Sequence, residues 1–294
     1  MMNEYNPSNY QKASLEEYGF REHKALKLSW KIASKILLAF AIIMLYFAVI
    51  IIAIQSFNSS DSTTEFASFT FDNYLHMFDK RILNDAIFNT FKTSIFATLI
   101  ATVLGTLIGI GAFYLPPKIK ARLTLLNNIP LLNADIVTGV SLMVIFSFFL
   151  PINKYFFGFW TILIAHVYFI LPYIVLSVLP KMKEMDPNML DASLDLGVKP
   201  FKSIIKVIIP SIKGGIFSGM LLAFTISFED FVVGYFTKGN GYNTLSIWIY
   251  SSIGRKSLFP GVYAFSTAVT LIMIGCIVVY NLLKGRGQNE KKTK

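Results

Sequence analysis

A chain of 294 residues that is 54% hydrophobic, 15% charged and carries a formal charge of +10 has the composition of an integral membrane protein, with its charges gathered between long apolar runs. A single cysteine, Cys276, excludes a disulfide framework, and three histidines far apart in sequence (His23, His76, His166) offer no metal cluster. No G-x-x-x-x-G-K-[ST] run occurs, so the chain does not cradle nucleotide phosphates itself; the basic residues flank apolar segments, which favours a membrane-orientation signal over nucleic-acid binding.

Residues 1–33 are polar and mixed in charge, and read as a cytoplasmic lead whose second half suits an amphipathic helix. Six apolar segments follow, at about 34–56, 88–115, 130–150, 157–180, 211–235 and 259–284, each near the ~20 residues that cross a bilayer. Asn133 and Asp135 interrupt the start of the third. The expected fold is all-α: a polytopic bundle of six transmembrane helices (34–284) with a cytoplasmic tail at 285–294. Basic residues crowd the lead, the 116–122 turn, the 181–213 loop and the tail, which places both termini and that loop in the cytoplasm. The outer loop after the first span is polar, with Phe66, Phe69 and Phe71 alternating like a short strand or a surface patch. It either touches an external protein or rests in the lipid headgroups.

The second and fifth spans repeat a small-xxx-small pattern, Gly105 to Gly109 and Gly215 to Gly219, which signals close helix packing. Acidic residues within spans are costly and face a cavity or a partner. Three stand out: Asp135, Glu229 and Asp230. If the fifth span is one helix, Glu229 and Asp230 project about 100° apart and border a single path only along the seam between two small, polar faces. Phe228, Phe231 and Tyr235 stand beside them and offer ring faces to a cation. Either the carboxylates line a cation path, or they sit at the outer interface or pair with basic residues elsewhere. His166 in the fourth span either bonds to a neighbouring helix or lines the same path.

Between the fourth and fifth spans lies a punctuated polar stretch, Asp186 to Pro210. Asp186 suits a helix cap, Pro187 its first turn and Gly197 its left-handed end. Met189, Ala192, Ser193 and Leu196 fall on one face of that helix. Pro200 then opens a second helix, whose Lys199, Lys202 and Lys206 suit an anionic bilayer surface.

This stretch resembles the EAA loop of ABC importer permeases, the element that docks into an ATPase subunit. Asp191, Ala192 and Ser193 stand for Glu-Ala-Ala, and Gly197, Val207, Ile209 and Pro210 follow at the family spacing. Asp, Ser, Val and Ile replace the more usual Glu, Ala, Ile and Leu. The resemblance extends to the C-type permease subunits of spermidine/putrescine importers through Ser56–Ser60, Asp135-Ile136-Val137, Ser141-Leu142 and Phe224–Val233. Ala134 stands where that family often has Pro, and Glu229 where it often has Asp. The resemblance implies the ABC type I importer permease fold, with a permease core at about 88–284 and a coupling loop at 181–210. It also implies a non-catalytic bacterial inner-membrane subunit. Its partners would be a homologous B-type permease, two ATPase subunits that bind the ATP, and an extracytoplasmic polyamine-binding protein, with no other cofactor and no nucleic acid. ATP binding would pull on the coupling helix and switch the pore from inward- to outward-facing. An ABC permease for ferric ion, a sugar or another small solute is the alternative within the class; a secondary transporter or channel lies outside it, and would not need the coupling loop.

Overall fold

The computed structural model describes residues 24–60, 65–149, 156–186, 188–239, 241–253, 259–272 and 274–275. In chain order its helices are α1 (Lys24–Gln55), α2 (Arg81–Tyr114), α3 (Pro117–Leu132), α4 (Asp135–Ser147), α5 (Phe159–Glu184), α6 (Asn188–Asp195), α7 (Pro200–Glu229), α8 (Val232–Thr237), α9 (Leu245–Ile253) and α10 (Gly261–Ile272). No strand forms among the described residues beyond one antiparallel bridge, Asn58 to Phe69. Four helices are long and apolar enough to cross a membrane, and five if the bent pair α3–α4 counts as one span. With α10 as the described part of the last apolar segment, this is compatible with the six segments expected.

The chain divides into two bodies, which are described separately. One holds α1, the loop around Phe66–Tyr74 and the described residues from Tyr263 onward. Here α1 runs unbroken from Lys24, so the end of the polar lead continues into the first span; residues 1–23, where the rest of the expected amphipathic helix falls, lie outside the described residues. The loop after it is a small knot. Phe57 stacks on Phe69 at 5.0 Å between ring centres, Phe71 meets both edge-on, and Asn73 donates to the Ser56 and Asn58 carbonyls. The alternating phenylalanines thus form a surface patch, with Phe66, Phe69 and Phe71 each more than half exposed.

The other body is organised around α5, whose Ile162, Ile170, Ile174, Val175 and Val178 are fully buried. The glycine patterns explain how its neighbours approach so closely. A Cβ on Gly105 or Gly109 of α2 would lie 2.9 Å or 2.8 Å from Ile174 or Val178. One on Gly215 of α7 would lie 2.8 Å from the Ser177 carbonyl, and one on Gly219 3.0 Å from Ser177 Cβ. Both ridges therefore serve α5, through dispersion contacts, which are what hold helices together where lipid removes the hydrophobic drive.

Two expected spans differ from their sequence reading. The third is not one helix over 130–150. Pro130 lies inside α3, Asn133 and Ala134 are extended, and α4 leaves at 103° to α3. With 13 residues α4 reaches only about 20 Å, short of a bilayer. The fifth is shifted toward the N-terminus. It begins at Pro200, so the expected surface helix and the span are one continuous α7, and it stops at Glu229. Pro210 sits inside this helix and lacks an N–H, and a proline ring crowds the carbonyl four residues back, here that of Lys206. The turn Ile204–Ile208 widens accordingly, with the Ile209 N–H reaching back five residues to the Ile204 carbonyl.

Candidate functional site

The first candidate is the segment joining α5 to α7. Asp186 Oδ1 accepts from the Asn188 N–H at 2.9 Å and starts α6. At its other end Gly197 takes φ +78°, its N–H bonds to the Leu194 carbonyl at 2.8 Å and the Val198 N–H to the Ser193 carbonyl at 3.1 Å. This pair of bonds is the Schellman ending, which satisfies carbonyls that a helix end leaves free. Leu190 and Leu194 face Leu107, Ile110 and Tyr114 of α2 and Ile204 and Ile208 of α7 across a shallow apolar space, which seats α6 on the bundle. Ser193 is turned inward and buried, its hydroxyl donating to the Leu190 carbonyl, so it leaves the shared face expected from its spacing. Asp191 and Ala192 are exposed, Met189 is 38% exposed and Leu196 84% exposed. Further on, Val207 and Ile209 are half-buried and Pro210 is exposed. The outward surface is thus a small apolar knob around a short side chain, with Asp191 beside it.

The second candidate is the break between α7 and α8. Asp230 has left the helix, at φ −60° and ψ 131°, so it and Glu229 do not share one helical surface. Its carboxylate turns forward, accepting the Gly234 N–H at 2.8 Å and the Val233 N–H at 3.3 Å, as an N-terminal cap of α8. On its other side His166 of α5 brings Nε2 to 3.4 Å from Asp230 Oδ2, and both side chains are almost wholly buried. His166 Nδ1 lies 2.8 Å from the Ser227 hydroxyl on α7. Gly234 makes this closeness possible: a Cβ there would sit 3.2 Å from Asp230 Oδ2 and 3.6 Å from His166 Nε2. The far end of α8 is tied to the same helix by Thr161, whose hydroxyl donates to the Thr237 carbonyl at 2.7 Å.

The remaining expected residues fall in three places. Glu229 is exposed at the end of α7, and Asp135 is exposed in the first turn of α4, where the helix N-terminus favours a carboxylate. Neither forms an ion pair or hydrogen bond among the described residues. Phe228 packs edge-on to Phe91 of α2 at 5.1 Å, holding α7 to α2. Phe231 and Tyr235 come together with a third ring, Tyr250 of α9, at 4.6 Å from Phe231 and 5.7 Å from Tyr235. Tyr235 and Tyr250 remain 41% and 54% exposed; Lys238 Nζ already lies 5.7 Å from the centre of the Tyr235 ring, which leaves Tyr250 as the ring with exposed surface for a further cation. Tyr250 escapes the sequence reading, because it lies far in sequence from the acids and only the packing of α9 brings it in; Ser227 falls on the small, polar face of the fifth span that also carries Asp230, but its partner His166 is set only by the packing of α5. The third site element is the strap from Tyr242 to Leu245, which fixes α9 to α2 through Thr93–Tyr242 at 2.9 Å and the Leu245 N–H on Thr90 at 2.8 Å.

Comparison with known proteins places these features in context. The family described as binding-protein-dependent transport system inner membrane component matches residues 105–286. The spermidine/putrescine transport system permease protein PotC of Haemophilus influenzae is 30% identical over 81% of this chain and 91% of its own length. The putrescine transport system permease protein PotI of Escherichia coli K12 is 28% identical over 88% and 92%. Among solved structures, a bacterial ABC transporter that imports the acidic polysaccharide alginate superposes with a TM-score of 0.63 at 14% identity, covering 86% of this chain and 95% of the matched one. A second structure of a bacterial alginate ABC transporter, in complex with its alginate pentasaccharide-bound periplasmic protein, matches with the same score.

Proposed function

The chain belongs to the family of binding-protein-dependent transport system inner membrane components, and from that membership we propose that it forms half of the translocation path of an ATP-driven polyamine importer. Membership makes it a multi-pass inner-membrane transport subunit. The ATP drive, the partners and the substrate are the proposal. One observation carries the coupling part: α6, ended at Gly197, holds Ala192 and an 84% exposed Leu196 outward from a seat on α2 and α7, a surface suited to a hollow in an ATPase. Because α6 is joined to α7 by only four residues and seats Leu190 and Leu194 against Ile204 and Ile208, a push on it is passed to the fifth span and its break.

For the substrate, similarity to permeases named for spermidine and putrescine over most of the chain supports a polyamine. The chemistry agrees: exposed carboxylates at Asp135 and Glu229 and the exposed ring of Tyr250 suit a flexible polycation, and disfavour an anion. In this reading an external binding protein delivers the polyamine, a homologous permease supplies the other half of the path, and two ATPase subunits bind ATP.

Two experiments test it. Purification of the tagged subunit from mild detergent, with mass spectrometric identification, is expected to bring down an ATPase and a second permease; recovery of the subunit without any ATPase would remove the coupling reading. For orientation, a membrane-impermeant thiol reagent on intact cells, in a Cys276→Ser background, is expected to label Ala67→Cys and to miss Asp195→Cys. Labelling of position 195 from outside would invert the topology.

A further inference from the structure

His166 touches both sides of the break in the fifth span. Its Nδ1 meets Ser227, the last full turn of α7, and its Nε2 faces Asp230, which opens α8. An imidazole can carry a donor on one nitrogen and an acceptor on the other, so one ring can serve the Ser227 hydroxyl at Nδ1 and the Asp230 carboxylate beside Nε2. At 3.4 Å the Nε2 contact is longer than a good hydrogen bond, and no hydrogen bond closes on that atom. The order hydroxyl, imidazole, carboxylate resembles a hydrolytic relay, but Ser227 is only 2% exposed and His166 only 1%, so no acyl substrate reaches the hydroxyl. What the cluster does accomplish is geometric. It joins three elements at the break where α7 ends and the chain at Asp230 is extended. The charged group in contact with His166 there is Asp230, and the apolar Ile247 of α9 lies beside Gly234.

We propose that His166 is a positioning residue for translocation: its ring pins the broken end of the fifth span to α5, and thereby sets where the exposed Glu229 carboxylate and the Phe231 ring point. This rests on the reading that the break borders the translocation path, and adds what holds the break in place. A glutamine at 166 keeps an acceptor for Ser227 and a donor for Asp230; a leucine keeps bulk and loses both.

The test uses the complete transporter, purified with its partners in a Cys276→Ser background. A single cysteine placed by Glu229→Cys is reacted with a small water-soluble thiol reagent. His166→Leu is expected to change the labelling rate about tenfold, the population shift that follows loss of one ordinary hydrogen-bonded contact, and His166→Gln to return it toward the parent. Uptake of putrescine and spermidine is measured separately, with Glu229 intact. There His166→Leu is expected to raise the half-saturating concentration more than it lowers the maximal rate, and His166→Gln to reverse that. Should the leucine variant fail to assemble, Ser227→Ala, which removes one tie without adding bulk, is read the same way. Labelling at the parent rate in the leucine variant, or in Ser227→Ala where it stands in, overturns the proposal, as does a glutamine variant that behaves like leucine. If the parent transports no polyamine, the substrate reading fails while the labelling comparison still decides the role of His166.

Discussion

Gly197→Val is expected to abolish polyamine uptake and substrate-stimulated ATP hydrolysis together, while the subunit still inserts in the membrane. The reason is backbone conformation. Gly197 holds φ +78°, and a Cβ added there meets nothing within 4 Å, so steric crowding plays no part. In the left-handed region a non-glycine residue costs about 1–2 kcal/mol, and a β-branched one is a genuine outlier. The two bonds that close the helix, from the Gly197 and Val198 N–H groups, depend on that conformation. Its loss unwinds the last turn and misplaces Ala192 and Leu196. Gly197→Asn serves as the control, since asparagine tolerates this region better, and it is expected to retain much of the parent uptake. Equal activity in the valine and asparagine variants would separate Gly197 from coupling.

The second large effect distinguishes the two adjacent acids. Glu229→Gln is expected to insert and assemble as the parent does, and to lose roughly tenfold or more of its uptake at low polyamine, because a charge-assisted contact contributes about 1.5–3 kcal/mol. Asp230→Asn is expected to lower the amount of assembled subunit instead. Its carboxylate accepts two backbone N–H groups and faces His166, and an amide has one oxygen to serve these partners. Leaving a buried donor unpaired costs about 1–3 kcal/mol. The measurements are subunit abundance in membranes and uptake per assembled transporter. A Glu229→Gln variant with parental uptake would leave Asp135, together with the exposed Tyr250 ring, as the cation contacts. Parental abundance for Asp230→Asn would show that the cap is dispensable.

Much of the coupling segment was legible in the sequence. Spacing alone located the Asp186 cap and the left-handed Gly197, because caps and glycine endings are local backbone chemistry. The glycine pairs in α2 and α7 were legible as packing, though only the structure assigns both to α5. Ser193 was misplaced because periodicity gives a face and not which face is seated. The break at Asp230 was not legible. Phe-Glu-Asp-Phe continues an apolar helical pattern, and at the break the Asp230 carboxylate turns forward to the Val233 and Gly234 N–H groups of α8, which the sequence pattern does not signal. The joining of Pro200–Glu229 into one helix was hidden by Pro210, which closes the polar stretch in the sequence and is instead accommodated inside the helix by a widened turn. The 103° bend between α3 and α4 was signalled by Asn133 and Asp135, but its size depends on extended backbone at Asn133 and Ala134 that composition does not set.

The central claim, that this chain forms part of an ATP-driven path for polyamines, is tested most directly by reconstitution. The purified permease assembly, with its ATPase, is placed in liposomes, and radiolabelled spermidine and putrescine are supplied with the external binding protein. The account predicts accumulation that requires ATP on the side of α6 and the binding protein on the opposite side. Accumulation that persists without ATP, or an assembly that hydrolyses ATP and moves another solute but no polyamine, would contradict it.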